Sequence, residues 1–190
     1  MKRSEINEAL KSAQLFFKNN GWVLPPNPLW DVTDFGLDMF PTQGLVLVNL
    51  CEEVEYCEKL MYAAHNQMTP HHYHKKKKED IICRTGTLEI QLWLPGEKPA
   101  EVGVLVLKKN GQMITINSGE VVIVNAGERI TIEPYVWHAF WPSSAECIIG
   151  EVSTANDDLN DNFFMNADIG RYPEIVEDEV PIFKLVSDKK

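Results

Sequence analysis

The segment from Pro70 to Gly86, PHHYHKKKKEDIICRTG, holds three of the five histidines in the chain. His72 and His74 lie two residues apart, so on a strand their imidazoles leave the same face and can meet one metal ion. Glu79 opens the next β-rich run beyond four consecutive lysines and can bring a carboxylate to the same point. Neutral imidazole and carboxylate together suit a divalent first-row cation. His65 and His71 share no such spacing and are expected to be ordinary polar residues. His138, in IEPYVWHAFW, falls at the end of a later pair of strand runs.

Such a cluster needs a rigid frame, and the sequence around it is strand-like. From Gly44 onward short β-rich runs alternate with turns: GLVLVNL, KLMYAA, TLEIQLWLPG, VGVLVLKKNG, QMITINSG, VVIVNAG, RITIEP and ECIIGEVS. Many short strands with little helical pattern between them predict an antiparallel sandwich or barrel. Asn110-Gly111 is a hairpin signal, because both residues tolerate positive φ. Ahead of these runs, Ile6, Ala9, Leu10, Ala13, Phe16 and Phe17 recur at spacings of three and four. They predict an amphipathic helix from Ser4, its candidate N-cap, to about Asn19, with Gly21 as a stop. Residues 22 to 43 hold Pro25, Pro26, Pro28 and Pro41 among aromatics, too proline-rich for regular structure but apolar enough to pack as an arm. The expected organisation is one domain: helix and arm over 1–43, barrel over 44–153, and an acidic, irregular extension over 154–190 that covers an edge or reaches a partner subunit.

Composition narrows the function classes. With 190 residues, 44% hydrophobic and 24% charged, the chain can bury one core and carries no disordered or fibrous bias. Its net charge of -10 argues against binding a polyanion, which depends on accumulated Lys and Arg. No stretch approaches the roughly 20 apolar residues of a membrane span, and the first residues carry charges where a signal peptide needs its apolar segment. A cytoplasmic protein is expected, with no nucleic acid or membrane as partner. Cys51, Cys57, Cys83 and Cys147 form no CxxC pair, so reduced and mostly buried thiols are expected.

The spacing from His72 to Gly86, H-x-H-x4-E-x6-G, resembles the first metal motif of the cupins at every defined position. Gly119 to His138, with Pro134 ahead of the histidine, is similar to the second. The resemblance implies an all-β fold, a cupin double-stranded β-helix barrel (jelly roll) with the N-terminal amphipathic helix and arm attached. It also implies His72, His74, Glu79 and His138 as the metal ligands. Three nitrogens and one carboxylate oxygen leave Mn, Fe, Co, Ni and Zn all open. In an octahedral ion two positions would stay free for adjacent substrate oxygens.

A closer resemblance is to the D-lyxose isomerase family of cupins, carried by HHYHKKKKEDIICRTGTLEIQLWLPG, ITIEPYVWHAFW and GEVSTANDDLNDNFF. It implies interconversion of D-lyxose and D-xylulose, with D-mannose and D-fructose as further substrates and Mn²⁺ as the preferred metal. Such a reaction moves a hydrogen between C2 and C1, so a cation chelating O1 and O2 would stabilise an enediolate while an acid–base group acts on the carbon. Glu151 would point into the barrel if Gly150 and Val152 point out, and is the candidate base. The lysine run suits a solvated loop, yet it joins two ligand-bearing strands, so Lys77 could turn inward and serve a sugar oxygen or its proton. In this family acidic residues and an arginine after the last strand approach the open end of the sugar. Asp157 or Asp158 and Arg171 become candidate hydroxyl binders on that ground, with Gln67 as a further one. Trp93, Trp137, Phe140 and Trp141 are expected to be mostly core, one of them walling the sugar site. A homodimer is expected by analogy with cupins that carry an apolar arm. An Fe(II)-dependent dioxygenase and a non-catalytic sugar-binding cupin are the competing functions, the latter favoured if Glu151 and Lys77 lie far from the metal.

Overall fold

A computed structural model describes residues 1–154, 157, 160–169 and 174–189. Among them one α-helix precedes thirteen strands: α1 (Arg3–Asn19), β1 (Leu29–Thr33), β2 (Leu45–Glu52), β3 (Tyr56–Ala64), β4 (His72–Tyr73), β5 (Glu79–Thr85), β6 (Thr87–Trp93), β7 (Val104–Lys109), β8 (Gln112–Asn117), β9 (Val121–Asn125), β10 (Arg129–Ile132), β11 (Trp137–Pro142), β12 (Glu146–Thr154) and β13 (Phe163–Phe164). Eight of these strands form one sheet in the order β1-β2-β3-β12-β5-β10-β7-β8, and five form a second in the order β13-β4-β11-β6-β9, among the described residues. The named strand pairs are antiparallel.

The two-residue side-chain period sorts the core into two layers. Leu47, Met61, Ile81, Cys83, Ile90, Phe140, Cys147 and Ile149 belong to the core between the sheets. Val46, Val48, Leu60, Tyr62 and Ile148 face the other way and pack with Ile6, Leu10, Ala13 and Phe17 of α1. The near-continuous apolar runs of β2 and β3 follow from this, because both their faces are covered. Phe17 is fully buried, and its ring stacks on Trp30 with centroids 6.2 Å apart. Phe17→Ala is therefore expected to cost about 3–5 kcal/mol, read as a lower urea midpoint.

The Asn110-Gly111 hairpin forms as expected. Both residues have positive φ, 54° and 79°, and Lys109 faces Gln112 across the turn. Gly86 has φ 88°, and a Cβ there would lie 2.6 Å from the Glu146 carbonyl oxygen, so the glycine of the H-x-H-x4-E-x6-G spacing is required by backbone approach.

Two expectations change. The arm contains a regular strand, β1, which extends the larger sheet as an edge strand on β2. Pro25, Pro26 and Pro28 all precede it, and the edge position with Trp30 and Val32 suits a strand free of proline. The helix starts one residue early, so Ser4 is not its N-cap. The Ser4 amide and hydroxyl instead donate to the Asp178 carboxylate at 2.9 and 2.7 Å, while the Lys2 amide donates to Glu5 at 2.8 Å. The extension covers an edge: β13 pairs with β4, and Leu185, buried, bridges to Trp30. The four cysteines are free, with Cys57, Cys83 and Cys147 buried. No described helix is long and apolar enough to cross a membrane.

Candidate metal centre

Strand register brings the ligand candidates together. His138 on β11 is the Cα partner of His72 on β4, and His74 follows just past the end of β4. Glu79 begins β5 in the facing sheet and, sharing parity with Ile81 and Cys83, points into the barrel. One donor atom from each of His72, His74, Glu79 and His138 lies within 4.8 Å of all the others. His138 Nε2 is 2.9 Å, and His74 Nε2 3.6 Å, from Glu79 Oε1.

Second partners set the histidine tautomers. Each Nδ1 faces a backbone carbonyl, His72 that of Pro70 at 2.7 Å, His74 that of Asp161 at 2.6 Å and His138 that of Val136 at 3.0 Å. A carbonyl can only accept, so Nδ1 carries the proton and Nε2 of the neutral ring presents a lone pair. The short approach to Glu79 Oε1 is then lone pair against lone pair. His74 Nε2, His138 Nε2 and Glu79 Oε1 are buried without a hydrogen-bond partner, an arrangement that burial makes costly and that a cation resolves. Burial also disfavours the imidazolium, holding His72 well below the usual histidine range and His74 near 4. The donor set thus fits a divalent metal: three imidazoles that turn Nε2 to a common point and one carboxylate.

Glu151 on β12 pairs with Lys59 on β3 and Ile81 on β5, and faces the interior as the alternation requires. Gly150 and Val152 do point outward: a Cβ on Gly150 would meet Arg84, and Val152 is exposed. Lys77 is the lysine of its run that turns fully inward; Lys75 and Lys76 are exposed. Its Nζ donates to Glu151 Oε1 and lies against Glu79 Oε2, both at 2.9 Å. Burial pulls the Lys77 ammonium down, but the two carboxylates outweigh it and hold the group above the usual lysine range. Burial likewise pushes the Glu79 carboxyl up, and the Lys77 charge beside it wins, holding Glu79 ionised.

These groups share a cavity of about 250 Å³ with Thr33, Phe35, Thr69, Asn162, Phe164 and Ile169 on its wall. Phe140 also lines it, whereas Trp137 and Trp141 donate their indole N–H groups elsewhere, to the Gly96 carbonyl and the Glu89 carboxylate. Trp93 joins Trp137 in a cluster outside the main core.

Gln67 and Asp157 are not among the residues that line the cavity. Gln67 uses its amide on backbone, donating to the Phe40 carbonyl at 2.6 Å and accepting from the Ala64 amide at 3.0 Å; it ties the arm to β3 and does not line the site. Asp157 accepts from the Asn160 amide and side chain at 3.1 and 2.9 Å, closing a turn. Asp158 and Arg171 lie outside the described residues. Sequence reasoning passed over Lys59, buried and lining the cavity with Nζ 4.0 Å from Glu151, and Asp161, buried beside the lysine run. Lys59 was legible in principle, since it stands two residues before the apolar Met61 on an inward parity; Asp161 was lost among neighbouring acids.

A buried three-histidine, one-glutamate cluster inside a two-sheet antiparallel barrel defines a cupin able to hold a metal ion. The D-lyxose isomerase family model matches residues 27–189. A D-lyxose/D-mannose isomerase of Serratia proteamaculans is 34% identical, with 95% of this chain and 94% of that protein covered. Its counterpart from Escherichia coli O157:H7 is 33% identical, with 94% of each covered. The chain belongs to the D-lyxose isomerase family. In fold it is similar to an L-ribose isomerase of Cellulomonas parahominis, at TM-score 0.66 and 16% identity over 89% of this chain and 94% of that one.

Proposed function

We propose that this protein is a metal-dependent aldose–ketose isomerase that interconverts D-lyxose and D-xylulose and also accepts D-mannose and D-fructose. His72, His74, Glu79 and His138 would hold the cation, Mn²⁺ in this reading. When bound, the cation supplies Lewis acidity toward adjacent sugar oxygens and the charge that resolves the lone pairs converging there. Glu151 removes the proton from C2 and returns it to C1, passing through an enediolate. Lys77, kept protonated by its two carboxylate partners, donates to the oxygen on which negative charge develops. Thr33, Asn162 and Lys59 place polar groups where a sugar offers hydroxyls, and Phe140 and Phe164 pack on its C–H faces.

The observation that carries this reading is the bridge from Glu79 through Lys77 to Glu151, 2.9 Å at each step, inside the cavity. A sugar-binding module needs no such acid–base pair beside its metal cluster, and a dioxygenase has no use for one. The reading extends to a cytoplasmic homodimer. Its support is the four free thiols and the exposed Val104, Val106, Met113 and Ile123 on β7 to β9.

The test is turnover of a panel of pentoses and hexoses by Mn²⁺-loaded protein. D-lyxose and D-mannose should be converted; no conversion of any sugar with metal bound would sink the proposal. Lys77→Met keeps the side-chain length without the charge. It should lower kcat about 10²-fold, the loss expected for one donor to a developing oxyanion, with KM changing less.

A further inference from the structure

We propose that Asp161 is a positioning residue: its carboxylate gathers the main-chain N–H groups of Lys75, Lys76 and Lys77 and fixes the point from which the Lys77 side chain enters the cavity. This rests on the reading of Lys77 as a donor in the isomerase reaction. Lys75 donates to Oδ1 at 2.9 Å, Lys76 to Oδ1 and Oδ2 at 3.2 and 3.1 Å, and Lys77 to Oδ2 at 2.9 Å. Three consecutive amides converge on one carboxylate that is only 3% exposed, a charge-assisted nest. A four-lysine loop left to itself would turn its ammonium groups to water. Held this way, Lys75 and Lys76 point out while Lys77 points in, between Glu79 and Glu151.

The same residue touches the metal cluster by a separate route. Its main-chain carbonyl accepts a hydrogen bond from the Nδ1–H of His74 at 2.6 Å. Asp161 also leads into Asn162 and Phe164, which line the cavity, and into β13, which pairs with the His72 strand. The two functions are chemically separable, because a side-chain substitution removes the clamp on the lysines and leaves the carbonyl on His74.

Asp161→Asn keeps the shape but replaces one acceptor oxygen by a donor that meets an N–H head on. The Lys75, Lys76 and Lys77 amides should then exchange hydrogen faster, and kcat on D-lyxose should fall by about 10²-fold, the scale of a small misplacement of a reacting group. Mn²⁺ affinity measured by calorimetry should stay unchanged. In a Lys77→Met background the same substitution should have no further effect on kcat, since the two residues act as one unit. An equal loss of kcat in both backgrounds, or full activity in Asp161→Asn, would overturn the proposal. If Asp161→Asn does not fold, hydrogen exchange of the wild-type protein decides: protected amides at Lys75 to Lys77 support the clamp, and unprotected ones refute it. Wild-type protein that turns over no sugar removes the isomerase reading itself, an outcome distinct from an active enzyme indifferent to Asp161.

Discussion

Glu151→Gln is expected to bind its metal normally and to lose kcat on D-lyxose by about 10²–10⁴-fold, the contribution of a positioned acid–base group. The amide is isosteric with the carboxylate and can still accept a hydrogen bond from Lys77, so the cavity should keep its shape. What it cannot do is hold a proton taken from carbon. Glu151 is not among the cluster that could hold a cation, and its contact with that cluster runs through Lys77. Metal content by elemental analysis should therefore match wild type. Activity close to wild type would remove Glu151 from the reaction and leave Lys77 or Lys59 as the group to examine.

Withdrawing the metal has a larger effect still. Protein stripped with EDTA should show no measurable turnover and recover it on adding Mn²⁺. At a free metal concentration 100 times the dissociation constant, binding to the folded state contributes about 2.7 kcal/mol. For a chain of this length that raises the melting temperature by roughly 5–10 °C. Glu79→Gln should weaken metal binding by more than the about 10–100-fold that loss of an outer partner costs, because the only anion in the cluster goes. A melting temperature indifferent to both EDTA and Mn²⁺ would contradict the assignment of His72, His74, Glu79 and His138 as ligands.

Much of this site was legible in the residues because a strand's period is two. His72 and His74 share a face by spacing alone, and Glu151 points inward because Gly150 and Val152 do not. The Asn110-Gly111 turn was legible for a similar reason, since two adjacent positive φ values favour few residue pairs. Burial that depends on distant segments was harder to read. Strand β1 hid behind three prolines that end just before it. Which of the four aromatics of β6 and β11 reaches the cavity was one such case: Trp93, Trp137 and Trp141 pack elsewhere while Phe140 lines it, because the alternate residues Leu92, His138 and Phe140 face inward. Ser4 resembled a cap until Asp178, 174 residues away, claimed it. Asp161 is the clearest case: one acid in an acidic run, distinguished only by the lysine amides that the fold lays over it.

Proton transfer between C2 and C1 by a protein base leaves an isotopic signature in the product. The direct measurement is to convert D-lyxose in D₂O with Mn²⁺-loaded protein and to follow the D-xylulose formed by NMR. Deuterium from solvent at C1 of the product, lost together with turnover in Glu151→Gln, is the predicted result. Rapid conversion with no solvent deuterium at C1 would contradict it, and would mean that the hydrogen passes directly between the carbons.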